Sequence, residues 1–153
     1  MTEVEVMGVA FDGSTNMPIV VLKDKRDRTL PIWIGILEAQ SILFALENIK
    51  TPRPLTHDLL KNIIENLGAE LKEVAITNLT NNTFYAKVVM GIDGKTAEID
   101  SRPSDAIALA IRTSSPIFVA DSLFTNQTAT PIDDDEVKRF KEELKNINLA
   151  DFL

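Results

Sequence analysis

An α+β fold, with a curved, mostly antiparallel sheet of six to seven strands and about four helices, is what the patterning of this chain predicts. Three observations carry that expectation. Alternating apolar and polar runs recur with tight turns between them, such as Asn81-Asn82 and Asp93-Gly94, which favour antiparallel hairpins. Separate stretches, Gly35–Ile49 and Pro131–Asn146 among them, carry apolar residues at helical spacing. One further stretch, Ala106–Ile111, is apolar at every position, and a helix apolar all round is normally buried.

Taken in order, Thr2–Phe11 reads as a strand in which Val4 and Val6 alternate with Glu3 and Glu5. The apolar phase then switches to Met7, Val9 and Phe11 around Gly8, which predicts a bulge. A turn at Asp12-Gly13-Ser14 leads to a second strand, Pro18–Leu22. The charged run Lys23–Arg28 reads as a solvated hairpin connection, and Leu30–Ile34 as the third strand. In the helix over Gly35–Ile49, Ile36, Ala39, Leu43 and Leu46 share a face, with Glu38 in the first turn. Pro52 and Pro54 make a stiff linker to a second helix, His57–Leu67, for which Thr56 is the expected N-cap and Gly68 the stop. Three strands follow, Glu70–Leu79, Phe84–Ile92 and Thr96–Asp100. Pro103 then opens the buried helix, because proline suits the first helical position and drives the residue before it, Arg102, out of helical geometry. Asp105 falls at the third helical position, where a carboxylate can reach back to free N–H groups. Pro116–Ala120 is a short final strand, and Asp133 caps the last helix, with Glu136 completing a capping box. A weak internal repeat is visible as well. Each half runs as a hairpin, a third strand and a helix, and Ile32, Glu38 and Ala39 align with Ile99, Asp105 and Ala106 at one offset.

Composition narrows the function classes. Residues 1–153 suffice for one domain with its own core. No apolar run is long enough to cross a membrane, the first residues lack the pattern of a secretion signal, and a cytoplasmic location is expected. With no cysteine, disulfides, thiolate metal sites and cysteine nucleophiles are excluded. A net charge of −7 opposes non-specific binding to phosphate backbones, so nucleic-acid chemistry requires a local basic patch or bridging metal ions. The Asp133–Asp135 run lacks the spacing of a calcium loop. Phosphate-binding glycine loops and a Gly-x-Ser-x-Gly elbow are absent, and a single histidine does not make a zinc cluster.

Three blocks remain: Leu30–Ala39 (LPIWIGILEA), Arg53–Leu60 (RPLTHDLL) and Asp100–Arg112 (DSRPSDAIALAIR). In order and spacing they resemble the bifunctional nuclease domain, a bacterial domain family, over nearly the whole chain to about Ala120 and on through the last helix, so that residues 1–153 are expected to be one such domain. The resemblance implies a single α/β domain, a homodimer, and degradation of both RNA and DNA. The blocks contain what phosphodiester hydrolysis needs. The carboxylates are Glu38, Asp58, Asp100 and Asp105, with Asp100 and Asp105 as the expected pair of Mg²⁺ or Mn²⁺ ligands. Arg53, Arg102 and Arg112 can contact phosphate, and His57 can act as general base or ligand. A plainer account uses the same residues as helix caps and ion pairs, in a non-catalytic dimeric module that binds a small ligand or a protein. A basic face would favour the nuclease, and a closed ion-paired cluster without an open metal position would favour the binding module.

Overall fold

In the computed structural model, which describes residues 1–124, seven strands form one sheet in the order β3-β2-β1-β7-β4-β5-β6. Three strands, β1 (Thr2–Asp12), β2 (Met17–Lys23) and β3 (Thr29–Trp33), make an antiparallel meander that leads into helix α1 (Ile36–Leu46). After α2 (Thr56–Asn66), a second meander of β4 (Glu70–Thr80), β5 (Thr83–Ile92) and β6 (Lys95–Ser101) leads into α3 (Pro103–Thr113). Between the halves lies β7 (Ile117–Val119), antiparallel to β1 and parallel to β4. A short 3₁₀ turn, Asp121–Phe124, touches both β3 and β4. The α+β architecture is therefore the one expected, and each half does run as meander then helix. The helix expected over Pro131–Asn146 lies outside the described residues.

Local chemistry explains the element boundaries. Both hairpins of the second meander turn through paired left-handed residues, Asn81 with Asn82 and Asp93 with Gly94, as the twist of tight hairpins demands. The register shift between Val6 and Gly8 is the bulge that the phase switch predicts. Helix α1 stops earlier than expected. Asn48 takes a left-handed φ of 52°, and Ile49 N–H donates back to the Phe44 carbonyl at 2.9 Å, which closes the helix before Ile49. For α2 the N-cap is Leu55, not Thr56, and the Asp58 carboxylate accepts the Leu55 N–H at 3.0 Å. The Lys23–Arg28 connection is not wholly solvated either. Asp24 is buried and accepts from the Arg26 and Arg28 N–H groups and the Arg28 guanidinium, each within 2.9 Å.

The core lies between the sheet and its helices. Ala106, Ile107, Ala108, Leu109 and Ala110 are all buried, because α3 packs at once against α1, α2, β4 and β5. Its alanines leave room for backbones to approach closely, and Ile107 joins Ile42 of α1 and Ile76 of β4 in one apolar cluster. Helix α2 buries no residue fully, and it exposes Leu59 and Ile63, with Leu67 exposed at its C-cap.

Candidate functional site

Each helix here is 11 residues long and carries a carboxylate at its third position: Glu38 in α1, Asp58 in α2 and Asp105 in α3. A carboxylate there complements the positive end of the helix dipole. The three N-terminal ends converge on one cleft of about 310 Å³. From α1 it receives Leu37, Glu38, Gln40, Ser41 and Phe44, from α2 Thr56 and His57 after Leu55, and from α3 Arg102 and Asp105.

Asp105 lies at the centre of the polar part. The expected reach back to free backbone N–H groups does not occur, since no side chain caps α3. Instead, Oδ1 faces His57 Nε2 at 2.9 Å, and Oδ2 accepts from Arg102 Nε at 2.9 Å. Arg102 Nη2 also reaches Oδ1 at 3.3 Å, so the guanidinium grips Asp105 with two nitrogens. Its third nitrogen, Nη1, donates to Glu38 Oε1 at 3.2 Å and ties α1 to α3. Burial pushes the Asp105 carboxyl up, but the Arg102 and His57 contacts outweigh it and hold Asp105 below the usual carboxylate range. The same two carboxylates raise Arg102, first through the Asp105 hydrogen bond.

Proton positions at His57 follow from this. An ionised Asp105 only accepts, so Nε2 carries the imidazole proton. In the neutral ring that leaves Nδ1 as an acceptor, and Ser41 Oγ lies 2.7 Å from it. The His57 side chain is 12% exposed, sheltered but open to the cleft.

The other expected site residues fall elsewhere. Asp100 belongs to exposed β6, where Ile99 pairs with the core residue Val88. Because neighbouring strand residues face opposite sides of a sheet, Asp100 points away from the face that Ile99 shares with α3. Its backbone pairs with Lys87 in the sheet, its side chain makes no hydrogen bond or ion pair among the described residues, and it does not line the cleft. Arg112 is 7% exposed and holds Asp58 Oδ1 at 2.7 Å and the Ala108 carbonyl at 3.0 Å, a brace between α3 and α2. Arg53 is exposed on the loop before α2. Two polar residues of the cleft, Ser41 and Gln40, are not among the candidates that the sequence offers. Ser41 lies three residues beyond Glu38, a spacing that shares one helix face and could have singled it out. Gln40 carried no such signal. Its side-chain amide nitrogen is buried without a hydrogen-bond partner among the described residues.

The donor set does not fit an Mg²⁺ or Mn²⁺ ion shared by Asp100 and Asp105. The two carboxylates face different ways, and both Asp105 oxygens are already engaged by Arg102 and His57. Among the described residues no group of three or more His, Cys, Asp or Glu side chains is placed to hold a metal ion. No helix among them is long and apolar enough to cross a membrane.

A seven-stranded α+β domain with a histidine, an arginine and two carboxylates at converging helix ends is the class of protein that fold and site define. The chain belongs to the bifunctional nuclease domain family, whose model matches residues 20–131. An uncharacterized protein of Mycobacterium tuberculosis is 37% identical over 164 residues, which cover 99% of this chain and 98% of that protein. Bifunctional nuclease 1 of Oryza sativa subsp. indica is 32% identical over 104 residues, 66% of this chain but 31% of its own length. Bifunctional nuclease 2 of Arabidopsis thaliana is 30% identical over 105 residues, 65% of this chain and 32% of its own. This chain thus spans about a third of the plant relatives it matches.

Proposed function

We propose that the cleft hydrolyses phosphodiester bonds of RNA and DNA, with His57 as the proton-transfer group and Arg102 as the phosphate contact. The observation that carries this reading is the 2.9 Å contact between His57 Nε2 and Asp105, made in an open cleft beside Arg102. Asp105 fixes the ring and its tautomer, so the basic Nδ1 is presented on the side away from the carboxylate. Arg102 is 65% exposed at the cleft mouth. Three of the five guanidinium N–H groups meet Asp105 and Glu38, which leaves two for phosphate oxygens. Helix N-termini favour anions, and three of them meet here, which offsets the carboxylates locally despite the net charge of −7. The shared domain with proteins named bifunctional nucleases supports the same reading.

The test is cleavage of single-stranded RNA and DNA oligonucleotides by wild type and variants purified in parallel. His57→Ala is expected to lose about 100-fold or more, the usual size of a positioned acid–base group, with little change in melting temperature. Asp105→Asn should lose at least about tenfold, because the ring is no longer held by a charged acceptor. A second reading, a binding module without catalysis, draws on the closed Glu38–Arg102–Asp105 ion pairs and the lack of an open metal position. Equal cleavage by wild type and His57→Ala would remove His57 from the reaction, and no cleavage by the wild type would leave only the binding-module reading.

A further inference from the structure

We infer that Ser41 is the nucleophile of this site, so that hydrolysis proceeds through a covalent seryl–phosphate. The inference rests on the phosphodiesterase reading and names the group that its proton-transfer residue activates. Ser41 Oγ, His57 and Asp105 form an unbroken relay, 2.7 Å from Oγ to Nδ1 and 2.9 Å from Nε2 to Oδ1. This is the nucleophile–base–orienting acid arrangement, built with the two ring nitrogens exchanged relative to the common serine triad.

The setting of Ser41 fits the same assignment. It stands in the middle of α1, where a serine hydroxyl can bond back to the carbonyl one turn earlier. Here its hydrogen bond runs across to a different helix, to the one imidazole nitrogen left as an acceptor. Ser41 also lines the same cleft as Arg102, so the hydroxyl, the base and the phosphate contact border one space.

The step balances without any other reactant than water. Ser41 Oγ attacks phosphorus and passes its proton to His57 Nδ1. The bond from phosphorus to the leaving nucleoside oxygen breaks, and His57 returns the proton to that oxygen. Water then attacks the seryl–phosphate with His57 again taking a proton, the Oγ–P bond breaks, and Ser41 recovers its hydrogen. Arg102 holds the phosphate oxygens through both steps.

The experiment treats the full chain with a fluorophosphonate, whose fluoride leaves as Oγ–P forms, and maps the adduct by mass spectrometry. Hydrolysis of bis(p-nitrophenyl) phosphate and single-stranded oligonucleotides is measured in parallel for wild type, Ser41→Ala and His57→Ala. The expected result is an adduct on Ser41, absent from Ser41→Ala, and at least a 100-fold loss of hydrolysis in both variants with unchanged melting temperatures. Hydrolysis by Ser41→Ala within about threefold of wild type, with His57→Ala inactive, overturns the covalent route and leaves the phosphodiesterase reading standing. An adduct without loss of rate, or loss of rate without an adduct, overturns it too. Full activity in His57→Ala, or none in the wild type, overturns both.

Discussion

Asp58 and Asp105 occupy the same third position of their helices, yet their oxygens do different work. Asp58 gives one oxygen to the Leu55 N–H and the other to the nearly buried Arg112, so it closes a helix and braces α2 on α3. Burial pushes its carboxyl up, while Arg112 and the Leu55 N–H outweigh that and bring it below the usual range. Asp105 gives both oxygens to side chains of the cleft and caps nothing. The two should therefore separate cleanly under mutation. Asp58→Asn keeps an acceptor for Leu55 but loses the Arg112 pair, and is expected to cost about 1–2 kcal/mol in urea unfolding. A cost of that size without a tenfold loss in cleavage would set Asp58 apart from Asp105. That Asp105, Arg102, His57 and Glu38 stand at helix starts is legible in the sequence, because proline and acid-at-third-position signals are local. That these starts converge, and that Asp100 faces the other way, depends on how two meanders join. No local pattern carries that. The Ser41–His57 contact crosses two helices and was equally invisible from spacing alone.

At the scale of elements, α3 holds the two meanders' helices in place, since it packs against α1, α2, β4 and β5 together. Leu109→Ala should destabilise the protein by roughly 2–5 kcal/mol, because a leucine in such surroundings leaves a cavity that the neighbours cannot close. Urea unfolding that shows less than about 1 kcal/mol would mean the site has collapsed around the smaller side chain. The polar-free stretch Ala106–Ile111 announced this burial from sequence, with the refinement that Ile111 is only partly covered. The strands were legible for the same reason, as alternation and asparagine or Asp-Gly turns are short-range signals. The exact ends of α1 and α2 were not, because left-handed Asn48 and the capping of Leu55 by Asp58 compete with apolar spacing.

The molecule as a whole is poised against acid. Asp24, Asp58 and Asp105 all have carboxyls held below their ordinary values, by donors that outweigh the upward push of burial. Asp12 lies well below as well, held first by the Trp33 indole and then by Ser14 and Thr15. In the unfolded chain these groups take up protons near the ordinary value of about 4, and in the folded chain only further down. Their contribution to stability is thus fully present above about pH 4 and is lost as the pH falls through the depressed values. Melting temperatures should change little from pH 7 to 5 and fall steeply below about 4; a steep loss already between pH 7 and 5 would show that other groups govern the acid limit. The place of β7 has another consequence, in the order of assembly. Both meanders reach their full length before Ile117, yet they meet in the sheet only through the three residues of β7. A chain growing from its N-terminus therefore displays β1 and β4 as bare edges until the keystone strand emerges. The cleft, by contrast, draws only on residues up to Asp105, all of which precede that strand.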